Sequence, residues 1–217
     1  MMAGREPHYV LALAAPGLPP RFRVLGRTFR TLHLGDVDAI VERPRDHQLS
    51  TEALQEQHAI VCRLSSRTPA LLPARYGSLV GERELRAAVA GRRAEILHAL
   101  TRVRDRRQMT LRVFGDPDRT LAPEESPTTG AAFLQSRRAR AQHVPPEVHL
   151  IRSALKSLIT AERVQRGEGR LRVTIYHLVK TDDAASYEQI VQGLDITPHG
   201  VVASGPWPAF AFAPELF

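Results

Sequence analysis

Residues 29–42 read FRTLHLGDVDAIVE, and this stretch decides the fold. Phe29, Thr31 and His33 alternate with Arg30, Leu32 and Leu34, the period-two pattern of a half-buried strand. Gly35-Asp36 turns the chain, and residues 37–42 supply the next strand. Upstream, residues 9–14 (YVLALA) form a short apolar run. Pro16-Gly17 and Pro19-Pro20 then stop any regular element, so the stretch before Phe29 reads as an irregular link. Downstream, Ser50 or Thr51 can cap a helix whose first turns carry Glu52 and Glu56, acids suited to the positive end of the dipole. Leu54, His58, Val61 and Cys62 fall at helical spacing and are expected to face a core. Residues 71–76 give a further strand, closed by Gly77.

Strand, link, strand, strand, helix, strand is the order left by a ferredoxin-like βαββαβ unit whose first helix is eroded by prolines. The expected architecture is therefore α+β in two small domains. Residues 1–80 form the first, a modified ferredoxin-like unit, and residues 81–217 the second. The second half is richer in helix. Residues 82–106 read as one long helix with Leu85, Val89, Ile96, Leu100 and Val103 on one stripe, which Arg92 interrupts and Gly91 weakens. Residues 109–114 alternate as a strand, and 119–129 are polar with prolines, an expected loop. Residues 130–142 read as a helix. After Pro145-Pro146 a further helix is expected to carry Val148, Ile151, Leu155, Leu158 and Ile159 on one face and to end at Gly167. Residues 171–179 read as a strand, 183–194 as an amphipathic helix and 200–203 as a short strand.

The tail from Gly205 is unlike the rest. Gly205, Pro206, Trp207 and Pro208 present the only tryptophan between two prolines, and Phe210 and Phe212 follow two residues apart, on one face if extended. Prolines exclude a central strand, so this segment is expected at a sheet edge, as a docked tail or as an exposed ligand.

Composition bounds the function. The 217 residues are 43% hydrophobic and 24% charged, an ordinary globular balance, and no apolar run is long enough to cross a membrane. The single cysteine, Cys62, excludes an internal disulfide framework and any multi-cysteine zinc site. The expected compartment is the cytoplasm. A net charge of +7 raises a nucleic-acid reading, but the arginines are scattered and aromatics are only 6%, without the interleaving that base stacking needs.

The search for chemistry is negative. Gly167-Glu168-Gly169 follows a helix and reads as cap and turn, not a phosphate cradle. Ser204-Gly205 lacks the preceding glycine of a nucleophile elbow. Cys62 reads as a small buried hydrophobe. His143, Glu147 and His149 are separated by prolines and do not read as a metal set, and Glu124-Glu125 reads as a solvated pair. No catalytic residue, cofactor or metal is expected. What stands out is Arg75, Tyr76 and Gly77 at a strand end, with the aromatic tail.

Those two motifs carry a resemblance. Residues 72–79 (LPARYGSL) resemble the "LPvRFGtvf" segment of the gas vesicle protein F/L family, GvpF/GvpL, and are likewise preceded by a helix bearing a histidine, His58. Residues 109–114 resemble that family's "EmgvKvy" strand and 130–134 its "GxxYL" helix start. Residues 178–180 with 187–191 resemble its "YLV…F…v" unit, and 202–212 (VASGPWPAFAF) resemble its "v.GPWPpYsF" ending. Tyr76 stands for the usual phenylalanine, the tail rings lack a tyrosine hydroxyl, and Pro145-Pro146 interrupts a longer helical stretch. The resemblance implies an accessory or minor structural protein required for gas vesicle formation, not an enzyme. The implied partners are the small hydrophobic shell protein and other gas vesicle accessory proteins, with no nucleic acid, lipid membrane or small-molecule substrate. The implied contact or structural residues are Arg75, Tyr76, Gly77, Gly205, Pro206, Trp207, Pro208, Phe210 and Phe212. The alternative from another class is an arginine-rich nucleic-acid-binding module of ferredoxin-like fold; an uncharacterised hydrolase would need a polar pocket that no spacing announces. Arg75 itself is expected to point inward, toward Glu82 or Glu84.

Overall fold

The computed structural model describes residues 7–44, 50–115, 146–194 and 200–215. The expected loop at 119–129, the helix at 130–142, Glu124-Glu125 and His143 lie outside the described residues. Two compact units emerge, one of residues 1–108 with 207–217, the other of residues 109–206. The division therefore does not fall near residue 80. Helices after that point pack on strands before it, and the tail returns to the first unit.

The first unit is built on an antiparallel sheet. Its strands are β1 (Pro7–Ala14), β2 (Arg21–Val24), β3 (Arg27–His33), β4 (Asp38–Glu42), β5 (Leu71–Pro73) and β6 (Leu79–Gly81). The order is β2-β3-β4-β1-β5, with β6 also pairing β1. The link expected to be irregular contains β2, because Val24 and Arg27 pair across a two-residue turn. Leu25 and Gly26 take φ of 48° and 79°, the type I′ pattern that suits a tight hairpin. Buried Asp38 secures the preceding segment by accepting from the Gly17 and Leu18 amides, each at 3.0 Å.

Helix α1 (Thr51–Ser65) starts where Ser50 Oγ accepts from the Ala53 amide at 3.1 Å. Its core face is Ile60, Val61 and Leu64 with Gln57, packed on Tyr9, Leu11, Ala12, Phe29 and Ile40. Of the set expected to face the core, Val61 does; the stripe Leu54, His58 and Cys62 does not, since Leu54 is exposed and the other two are half-buried. That stripe lies about one residue position around the helix from the buried one, and only packing distinguishes the two. Side chains of β1, β4 and β5 that alternate away from α1, among them Val10, Leu13, Val41 and Leu72, are equally buried. The expected long helix is two, α2 (Glu82–Gly91) and α3 (Arg93–Val103), broken at Arg92 with φ −118° and ψ 22°. Leu85, Val89, Ile96, Leu100 and Val103 are all buried, so the predicted stripe survives the break. α2 touches β6 and α3 touches β5.

The second unit carries a four-stranded sheet in the order β10-β7-β9-β8. β7 is Arg106–Phe114, β8 Ile159–Arg166, β9 Leu171–Lys180 and β10 Gly200–Trp207. Helices α4 (Pro146–Leu155) and α5 (Ala184–Gln192) bring Val148, Ile151, Leu155, Tyr187 and Val191 against Met109, Leu111, Val173 and Ile175. The helix expected to run to Gly167 stops at Leu155. Residues from Ile159 pair with β9 instead, and a β-sheet period-two pattern replaces the helical one. β10 extends through Pro206 to Trp207 and is an edge strand, the place a proline-bearing strand can occupy.

Candidate functional site

The turn after β5 is the first element of the site. The Ser78 amide donates to Arg75 O at 3.3 Å, closing a four-residue turn with Gly77 third at φ +84°. A type II turn needs positive φ there, which is why a glycine follows the ring. Tyr9, buried in β1, pins the turn: its Oη accepts from the Gly77 amide at 3.0 Å and donates to Gln57 Oε1 on α1. Its ring meets Tyr76 edge-on, with centroids 6.2 Å apart. Burial pushes the Tyr9 phenol above its usual pKa, against the Gly77 bond, so it stays a neutral donor.

The tail supplies the second element. Gly205 lies at φ +137°, and the Gly205–Pro206 peptide is cis. Trp207 meets His58 of α1 edge-on at 5.1 Å, and Phe210 stacks on the same imidazole at 5.6 Å and 17°. Pro208 and Ala209 are buried. Residues Phe210–Phe212 form a 3-10 turn, so the two phenyl rings do not share one extended face. Phe212 lies under the Arg102 guanidinium at 5.2 Å, and the Ala211 amide donates to Gln108 Oε1 at 2.7 Å. Arg75 does not turn inward to Glu82 or Glu84. It is exposed and pairs with Glu215, whose backbone oxygen accepts from Arg92. Trp207 thus belongs to the first unit and packs there on His58 of α1.

Between these elements lies a cleft of about 490 Å³. Leu54, Ala74, Tyr76 and Phe210 give it an apolar surface, while Thr51, Gln55, Gln57, His58 and Arg75 supply its polar groups. Leu54 and Phe210 remain 44% and 37% exposed. Arg75, Tyr76 and Phe210 are brought together here; Gly77 shapes the turn, and Trp207 backs His58. Leu54, Tyr9, Gln57 and Glu215 were not singled out from the sequence. The 54-58-62 spacing was visible there but was assigned to the core.

Beside the cleft, the Cys62 thiol is not activated. Cys62 Sγ lies 3.4 Å from His58 Nε2, yet burial pushes the thiol above its ordinary pKa and the Arg107 charge does not offset it. Among the described residues no group of three or more His, Cys, Asp or Glu is placed to hold a metal. The second unit holds a polar chain that the sequence did not reveal. Tyr187 Oη lies 2.6 Å from His177 Nδ1, His177 Nε2 lies 3.0 Å from Glu162 Oε2, and Arg152 grips Glu162 with 2.8 and 2.5 Å bonds. Burial depresses the His177 pKa despite Glu162 and raises that of the Tyr187 phenol. Glu162 is held below the usual carboxylate value: burial opposes this, but Arg152 and then His177 outweigh it. The matching protonation state is Arg⁺, Glu⁻, neutral His and neutral Tyr. His177 and Tyr187 have no exposed surface, so the chain ties α4, β8, β9 and α5 together and faces no substrate.

Residues 8–214 match the family described as gas vesicle synthesis protein GvpL/GvpF. The chain belongs to the GvpL/GvpF family. Membership carries with it a role in gas vesicle formation. The crystal structure of gas vesicle protein GvpF from Anabaena sp. PCC7120 superposes with a TM-score of 0.71 at 12% identity, covering 96% of each chain. That of GvpF from Microcystis aeruginosa gives 0.71 at 10% identity, covering 96% of this chain and 99% of the other. At such identity the superpositions speak for the fold, and this GvpL/GvpF chain shares it. No curated protein matches by sequence.

Proposed function

We propose that this chain is a non-enzymatic accessory protein of gas vesicle formation that works in the cytoplasm at the growing vesicle. In this reading its first unit binds the small hydrophobic shell protein through the cleft between α1, the Arg75–Gly77 turn and the tail. Contacts to other accessory proteins would use the remaining surface. The observation that carries the proposal is a cleft with Leu54 and Phe210 left half open to solvent, in a member of a family that makes gas vesicles. A shell protein with a gas-facing apolar surface is prone to aggregate before assembly, and covering part of that surface favours ordered addition.

We also read the first unit as a modified ferredoxin-like fold. The strand order β5-β1-β4-β3, with α1 between β4 and β5, supports this, and β2 stands where a first helix would be. The nucleic-acid alternative is the weaker reading because the few aromatics do not interleave with the arginines as base stacking needs. Arg27, Arg75, Arg86, Arg92, Arg93 and Arg152 are each paired with a carboxylate of the same chain. The test is co-purification of the shell protein with the full chain and with Leu54→Asp, together with vesicle formation in cells whose own copy is deleted. Leu54→Asp is expected to melt normally, lose shell-protein binding and fail to restore vesicles. Undiminished binding and vesicle formation would refute the assignment of the cleft.

A further inference from the structure

Among the described residues the rim of the cleft carries one guanidinium, Arg75, and the carboxylate on it comes from far along the same chain. Arg75 and Glu215 are 140 residues apart in sequence. Their side chains stay 64% and 69% exposed although they touch. A pair this open adds little to folding, since water solvates both charges nearly as well when they are apart. Glu215 does show, however, that a carboxylate fits beside Arg75 at the edge of an apolar surface. Among the described residues, the other groups lining the cleft include no carboxylate. The complementary partner on this rim is therefore an anion, and the net charge of +7 favours its approach.

The shape of the cleft adds a second constraint. Thr51, Leu54, Gln55 and His58 lie at i, i+3, i+4 and i+7 of α1 and all line it. Such a row is the ridge into whose flanking groove another helix packs. We propose that the cleft receives an amphipathic helix, with an apolar stripe set on Leu54 and Phe210 and a carboxylate on Arg75. Glu215 is then an internal competitor for the same guanidinium, released when the partner's acid arrives. This rests on the cleft being a docking site, as proposed above, and adds the chemistry of what it reads.

The test uses the full chain and labelled helical peptides of about 18 residues, long enough to hold a helix in water. Each carries one leucine stripe flanked by two glutamates, two glutamines or two lysines, and binding is read by fluorescence anisotropy. The glutamate peptide is expected to bind about two- to fivefold tighter than the glutamine peptide, the range an exposed ion pair gives. The lysine peptide should bind weakest. Glu215→Gln should tighten the glutamate peptide by a similar factor and leave the glutamine peptide unchanged. Arg75→Gln should erase the preference between those two, and Leu54→Asp should weaken all three. Thermal melts of each variant confirm that the fold is retained. Equal binding of the three peptides, no binding of any, or no gain from Glu215→Gln would overturn the proposal. Peptide discrimination without shell-protein binding would leave it standing and remove the shell-protein reading; shell-protein binding without discrimination would do the reverse.

Discussion

Replacing Tyr9 by phenylalanine removes one oxygen and keeps the ring, which makes it a clean test of how the Arg75–Gly77 turn is held. Tyr9 is 2% exposed and Gln57 9%, so water cannot substitute freely for the lost hydroxyl. The deletion strands Gln57 Oε1 and the Gly77 amide, which it donates to and accepts from. A buried polar group left without its partner costs about 1–3 kcal/mol, and Gly77 lies nearer the surface and regains some solvent. The expected loss is about 2–3 kcal/mol. For a unit of this size that corresponds to a fall in melting temperature of roughly 8–15 °C. Urea unfolding with a constant slope should give the same figure, and hydrogen exchange of the Gly77 amide should accelerate. The double variant Tyr9→Phe/Gln57→Leu should recover part of the loss, because replacing both partners by apolar groups is far cheaper than orphaning one. The reasoning fails if Tyr9→Phe melts within about 0.5 kcal/mol of the parent chain, or if the double variant is the sum of its singles.

Three further outcomes are expected. Gly77→Ala meets no atom within 4 Å, so its cost is purely that of φ +84°, about 1–2 kcal/mol by urea unfolding. Arg75→Ala should change stability by less than about 0.5 kcal/mol, because both members of its pair are largely exposed; a larger loss would show the tail to be a folding element. Stability should also fall as pH drops below about 6.5, the ordinary histidine value, because burial depresses the His177 pKa and the unfolded chain takes up the proton first. The loss levels off below the folded value, and Glu162, held below its ordinary 4.5, adds a second loss at lower pH. Unfolding midpoints measured from pH 8 to about pH 2 should show both steps, with the first absent in His177→Gln.

Local chemistry made much of this protein legible. The alternation in residues 29–42 marks two strands because side chains on a strand point to opposite faces, whatever covers them. The same holds for the α2–α3 stripe, with Gly91-Arg92 announcing its weak point, and for Gly77, which a turn with positive φ demands. The tail's prolines exclude a central strand on sequence grounds alone. Other features depend on neighbours remote in sequence. Residues 159–166 follow a helix and carry enough apolar groups to continue it, and only the competing ladder of β9 makes them a strand. On α1 two apolar stripes lie side by side, so the sequence cannot say which meets the sheet and which, through Leu54 and His58, forms the wall of a cleft. Arg75 had carboxylates close by at Glu82 and Glu84, yet its partner is Glu215, and His177 gave no sign of Glu162 or Tyr187. Periodicity is a property of a segment and can be read from it. A polar side chain's partner is set by which segments the packed core brings together, and that information exists only in three dimensions.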